Sequence, residues 1–162
     1  MSSLKSLIEL LEETPSWNEI EPLLYLGSVN AFKDTQFMSN KVGAIVSITR
    51  IATEEFGLPA HISEKQGNHL DICLADHEDS DISKHFDESY QFITNHILDG
   101  HAVFVHCAAG ISRSATLVTA YLMRANKWTT YRALQVVKER RPCIRPNDGF
   151  LEQLLEFEKT IF

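Results

Sequence analysis

Cys107 and Arg113 stand six residues apart in the stretch VFVHCAAGISRSATLV, residues 103–118, with no charged side chain between them. Ala108, Ala109, Gly110, Ile111 and Ser112 fill the gap. Small residues and a glycine let the backbone curl so that several N–H groups point at one centre, which makes an anion nest. A helix that begins at the end of the loop adds its positive pole to that nest. Arg113 contributes a planar fork of donors suited to phosphate. In such surroundings a thiol is held as thiolate, so the pKa of Cys107 is expected below that of a free cysteine. Nucleophile, nest and arginine together form a device that binds a phosphate dianion and attacks its phosphorus in line. Separately they mean little. A cysteine ending an apolar strand is usually inert core, and an arginine at a helix start is usually a surface charge. The conjunction in a strand–loop–helix setting carries the functional reading. Ile111 is expected to pack inward rather than to contact a ligand through its side chain.

A phosphate ester also needs a proton for its departing oxygen, so a carboxylic acid on a nearby loop is expected. Residues 76–81 offer Asp76, Glu78, Asp79 and Asp81, each of which alone reads equally as a solvated loop charge. Asp76 comes first after a strand, which points it toward the strand's carboxyl end. Asp81, before Ile82 and Ser83, is expected to cap the helix that follows. Asn147, in RPN, is expected to tie the C-terminal loop to backbone near the site through its amide. Arg145 is open between a substrate phosphate and a carboxylate. Cys73 lies three residues before Asp76 and could trap oxidised Cys107 as a disulfide, although an inert core thiol is the simpler reading. Cys143, between two prolines, reads as inert.

The elements that must hold these groups follow from periodicity. LLYLG (23–27) reads as a short strand, VGAIVSIT (42–49) as a buried strand, HLDICLA (69–75) as an alternating strand and HAVFVHC (101–107) as another buried one. LKSLIELLEE has a helical period, giving an amphipathic helix over about 3–13 that Pro15 stops. SVNAFKDTQFMSN reads as one helix with a serine N-cap, and 50–67 as irregular. Ser83 is expected to cap a helix with Phe86, Tyr90, Ile93 and Ile97 inward and Gly100 at its end. SRSATLVTAYLMRAN reads as a central helix, Thr129–Thr130 cap another through Arg140, and GFLEQLLEFEKTIF closes the chain as an amphipathic helix. Strands alternating with helices predict an α/β fold with a mainly parallel central sheet flanked by helices. Ligands in such folds sit beyond the carboxyl ends of the strands, where His106 and Cys107 fall.

Length and composition set the outer bounds. At 162 residues a single domain is expected, with its core over about 20–160. The net charge of −7 makes non-specific nucleic-acid binding an unlikely class and is unevenly spread. Residues 106–150 carry 8 Lys+Arg against 2 Asp+Glu, which marks that block as the place for an anion. No run of apolar residues is long enough to span a membrane, and no signal peptide or lipidation motif is expected. Three cysteines without CxxC spacing argue for a reducing compartment and against a zinc site.

The motif HCAAGISRS resembles the signature of the cysteine-dependent protein tyrosine phosphatase superfamily, and most closely that of the small (atypical) dual-specificity phosphatases. YLGS near residue 25, LADHEDSDI and RPNDGFLEQL agree with it, so the resemblance spans about residues 20–160. It implies Cys107 as nucleophile and phosphocysteine carrier, and Arg113 as the transition-state clamp. It implies Asp76 as general acid, Ser114 as hydrogen-bond partner of the departing thiolate, and His106 as support for the loop and the Cys107 backbone. Residues 108–113 would bind the phosphate, with no metal or other cofactor. It further implies a phosphoprotein phosphatase acting on phosphotyrosine and on phosphoserine or phosphothreonine, expected in the cytoplasm and open to the nucleus, with the oligomeric state open and a monomer favoured. Mitogen-activated protein kinases are the family-level candidates for its substrates. The resemblance also implies phosphoprotein over phosphoinositide, because relatives that act on inositol phospholipids usually carry extra basic residues in this loop and 108–112 has none. Two alternatives remain at this point: the same chemistry on a phosphoinositide or an RNA 5′ phosphate, and a non-catalytic phosphoprotein-binding module.

Overall fold

The computed structural model describes Leu4, residues 14–50 and residues 57–162. The helix expected over about 3–13 lies, Leu4 apart, outside the described residues. Five strands form one sheet: β1 (Trp17–Glu21), β2 (Leu24–Ser28), β3 (Ala44–Thr49), β4 (His69–Cys73) and β5 (Val103–Cys107). Their order is β1-β2-β5-β3-β4, and every pairing is parallel except β1 with β2. This is the mainly parallel α/β sheet expected from the alternation of strands and helices. β5 is central and all five of its residues are buried. A strand covered on both faces favours apolar side chains, which explains the run Val103–Val105, and its one polar residue, His106, is hydrogen-bonded. Val103, Val105 and Cys107 face one core cluster, while Phe104 belongs to the cluster on the opposite face. Alternation along the strand therefore sends Cys107 and His106 to opposite sides of the sheet.

Helices α1 (Thr35–Asn40) and α2 (Ala60–Ser63) precede the larger α3 (Phe86–Leu98), α4 (Arg113–Asn126), α5 (Thr130–Arg140) and α6 (Asp148–Glu158). α4 is nearly buried because it packs against β5, α3, α5 and α6 at once. Lys127 ends it in the left-handed conformation and donates its N–H to Met123 O. Thr129 caps α5 by accepting from Arg132 N at 3.2 Å, as its position before the apolar period predicts.

Several expectations are corrected. The single helix expected over SVNAFKDTQFMSN is a 3-10 turn (Val29–Lys33) followed by α1. Asp34 divides them because its non-helical backbone lets Oδ1 accept from Phe37 N and Oδ2 accept from Trp17 Nε1, both at 3.0 Å. Ser83 does not cap α3. It opens a 3-10 turn (Ser83–His85) and donates its hydroxyl to Asp81 Oδ1 at 2.7 Å. That bond and the Lys84 amide hold the Asp81 carboxyl below its usual range, so Asp81 serves the start of this turn. Strand β1 has no counterpart in the sequence reading. The irregular stretch 50–67 contains the short α2.

Candidate active site

The loop from Ala108 to Ser112 joins the carboxyl end of β5 to the N-terminus of α4. Its four leading carbonyls are all taken by donors from outside the loop. Ala108 O accepts from Val29 N at 3.2 Å and Ile111 O from Arg145 N at 2.7 Å. Gly110 O accepts from Arg141 Nε at 2.9 Å and Ala109 O from Arg141 Nη2 at 3.4 Å. With the carbonyls drawn outward, the peptide planes turn their N–H groups toward the loop's centre, which is the geometry of an anion nest. Gly110 has φ +67, and a side chain there would collide with the Gly27 backbone, so the tight curl requires glycine.

Cys107 Sγ lies buried at the floor of the loop, 3.1 Å from Ser114 Oγ in the first turn of α4. Arg113 is 9 % exposed and donates from Nη1 to Leu74 O at 3.1 Å, while its buried Nε has no hydrogen-bond partner among the described residues. A buried guanidinium N–H without a partner is costly unless a ligand completes it. Its contact to Leu74 also ties the loop to the chain two residues before Asp76.

His106 is fully buried on the other side of the sheet. Burial pushes its pKa down to about 3, so the ring is neutral. Nδ1 lies 3.3 Å from Cys107 O, which can only accept, so that nitrogen carries the proton. Nε2 then accepts from Ser47 Oγ at 2.6 Å, and Ser47 Oγ in turn accepts from His69 Nε2 at 3.0 Å. The hydrogen-bond network assigns this tautomer. It places a fixed N–H donor on the backbone of Cys107.

Asp76 follows β4 on a loop gripped by the start of α6. Asn147 Nδ2 donates to Asp76 Oδ1 at 2.9 Å. Gln153 donates to Ser80 O at 2.9 Å and accepts from Ser83 N at 3.0 Å. Gly149 packs so closely on the Glu78 backbone that a side chain there would collide with it. The Asn147 amide thus donates to a carboxylate, and the backbone it meets is that of its own helix rather than the neighbouring loop expected of it. Its Oδ1 caps α6 by accepting from Phe150 N at 2.9 Å, and its own N–H donates to Ser112 Oγ at 3.0 Å. Asp76, Ile111, Ser112, Arg145 and Asn147 share one cleft of about 290 Å³.

Cys107, Arg113, Ser114 and the loop thus lie at one centre, with Asp76 and Asn147 in the cleft beside it and His106 behind it on the other face of the sheet. Ile111 is half-exposed and lines hollows on both flanks of the loop, against the inward packing expected of it. Cys73 is exposed rather than part of the core, and all three cysteines are free. Among the described residues no group of three or more His, Cys, Asp and Glu side chains could hold a metal ion. Arg141, absent from the sequence reading, is 1 % exposed and also donates from Nη1 to Pro15 O and Asn18 Oδ1 at 2.7 and 2.8 Å. The only signal for it was an arginine in a basic, proline-bounded loop after α5.

The thiol beneath a helix-terminal nest, on a parallel sheet of this order, defines the protein tyrosine phosphatase superfamily. The pattern described as "Dual specificity phosphatase, catalytic domain" matches residues 24–160, and the chain belongs to that family. It is 36 % identical over 153 residues to a protein phosphatase Slingshot homolog of Xenopus laevis, covering 94 % of this chain and 21 % of that one. It is 35 % identical over 153 residues to dual specificity protein phosphatase 1B of Arabidopsis thaliana, covering 94 % and 88 %. The crystal structure of DUSP15 superposes with a TM-score of 0.79 at 37 % identity, covering 88 % of this chain and 86 % of that one. Several relatives are much longer: the chain spans 36 % of rat dual specificity protein phosphatase 5.

Proposed function

We propose that the chain is a metal-independent phosphoprotein phosphatase that hydrolyses phosphotyrosine and phosphoserine or phosphothreonine through a phosphocysteine. The observation that carries this reading is the buried Cys107 thiol at the floor of a loop whose carbonyls are all drawn outward. The Cys107 thiolate forms the S–P bond as the ester P–O bond breaks. The inward N–H groups and Arg113 hold the three equatorial oxygens through that transfer. Asp76 gives its proton to the leaving oxygen. A water then attacks the phosphocysteine, Asp76 takes a proton from it, and the thiolate leaves with Ser114 Oγ–H donating to sulfur. His106 holds the Cys107 carbonyl throughout.

Family membership supports a protein substrate. Among the described residues no aromatic lines the cleft beside Asp76, which supports entry of short as well as aromatic phosphoamino acids. Mitogen-activated protein kinases are candidate targets on the strength of the family resemblance. The test is hydrolysis of an aryl phosphate in the presence of a chelator. Cys107→Ser should abolish turnover while still binding phosphate, and Asp76→Asn should lose roughly 10²–10⁴-fold in kcat. A requirement for added metal, or turnover by the serine variant, would overturn the mechanism.

A further inference from the structure

An apolar groove of about 330 Å³ lies between α5 and α6, immediately beside the catalytic cleft. Tyr131, Leu134, Ile144 and Leu151 form its apolar walls, with Lys138 and Arg145 at the edge. Arg145 and Pro146 line both the groove and the cleft that holds Asp76, so the two hollows meet across one pair of residues. Tyr131 is 77 % exposed, far more than a buried aromatic needs to be. Among the described residues no acid lines the groove, although Asp+Glu outnumber Lys+Arg 22 to 15 in the chain. Lys138 Nζ is fixed at the rim by donating to Ile144 O at 2.9 Å. The Arg145 backbone is fixed by its bond to Ile111 O, but its side chain is exposed and forms no ion pair with any described residue.

We propose that this groove is a second anchor for the polypeptide being dephosphorylated. The segment flanking the phosphorylated residue crosses Arg145, places an acidic side chain on that guanidinium, and seats a large apolar side chain among Tyr131, Leu134, Ile144 and Leu151. The occupant is the substrate's own chain because the groove opens onto the cleft through shared residues. The cations on its edge set the sign of the intervening side chain. The proposal rests on the phosphatase reading and narrows its substrates to phosphosites with an acidic residue near the phosphate and an apolar one beyond. A small aryl phosphate cannot reach the groove and gains nothing from it. For a peptide, the remote contact serves to align phosphorus over the thiolate.

The experiment is a positional scan of phosphotyrosine peptides, with leucine placed in turn at each of about five positions on either side of the phosphorylated residue. Phosphate release gives kcat/KM, and an aryl phosphate serves as internal control on each preparation. We expect leucine at one position, on one side only, to raise kcat/KM roughly ten- to a hundredfold. A glutamate between it and the phosphotyrosine should add to the gain. Tyr131→Ser and Lys138→Glu, both exposed positions, should remove the leucine preference and leave aryl phosphate hydrolysis in place. Arg145→Glu should reverse the preference for glutamate. A flat scan by an enzyme that turns over aryl phosphate overturns the groove and leaves the phosphatase reading standing. A leucine preference that survives both groove variants overturns it equally. Failure of the wild type to hydrolyse aryl phosphate removes the phosphatase reading and the proposal together.

Discussion

Arg141 is a buried cation whose partners, Ala109 O, Gly110 O, Pro15 O and Asn18 Oδ1, are all neutral oxygens. Burial lowers its pKa, and the negative charge that Cys143 and Cys107 can carry opposes that shift. A guanidinium this deep needs its donors satisfied, and the loop carbonyls satisfy two of its nitrogens. The loop in return keeps two peptide planes turned with N–H inward. In the proposed mechanism Arg141 is therefore a positioning residue for phosphate binding. Arg141→Met should lower kcat/KM on an aryl phosphate by about 10²-fold, the scale of losing one preorganised donor. The affinity for inorganic phosphate should fall in step, because the nest binds product as well as transition state. Arg141→Lys should recover little, since an ammonium cannot fork across two carbonyls. Unchanged phosphate affinity in Arg141→Met would refute the role. Cys107 and Arg113 were legible in the sequence because they share one contiguous loop. Arg141 was not, because its bond to Gly110 spans 31 residues and the stretch KERRPCIRP shows four indistinguishable cations.

Between residues and the whole, α6 acts as a clasp on the loop that carries Asp76. Asn147 holds Asp76, Gly149 lets the Glu78 backbone approach, and Gln153 holds both Ser80 and Ser83. Loosening that clasp should damage proton donation more than phosphate binding. Asn147→Ala and Gln153→Ala should each lose more activity on an alkyl phosphate, whose leaving oxygen needs the proton, than on a nitrophenyl phosphate, which leaves well without one. Equal losses on both substrates would mean that the clasp only supports the fold. Elements were legible where one physical signal dominated: buried β-branched runs for β3 and β5, helical periods for α3 to α6. WNEIE was not, because β1 is an antiparallel edge strand in which only Ile20 is buried, so most of its residues carry no apolar alternation. The division of the helix at Asp34 was hidden because a capping aspartate inside a periodic stretch resembles a surface charge until Trp17 is seen bonded to it.

Across the whole molecule, the sheet separates a reacting face, with Cys107, from a supporting face, with His106, Ser47 and His69, and that separation sets how stability responds to pH. Burial pushes His106 down to about 3 and also lowers His69, against the opposing influence of Asp71. In the unfolded chain both titrate near 6.5. Between those values the unfolded chain takes up protons that the native protein refuses, so stability falls as pH drops from about 6.5. One such group contributes a slope approaching about 1.4 kcal/mol per pH unit inside the window. Asp34 and Asp81 are held below their usual range by hydrogen bonds, so their contribution is lost only at lower pH. Glu21, raised by burial, has the opposite sign toward the acid end. The decline from pH 7 to 5 therefore belongs to the histidines. The urea midpoint, followed by circular dichroism, should fall across that interval. His106→Asn should be less stable than wild type at pH 7, where the ring's bonds to Ser47 and Cys107 O are lost, yet lose less between pH 7 and 5. His69→Gln should flatten the slope by a smaller amount. A wild-type midpoint that stays level from pH 7 to 5 would show that the buried ring accepts a proton in the native state, and the neutral relay from His69 to Cys107 O would then be wrong.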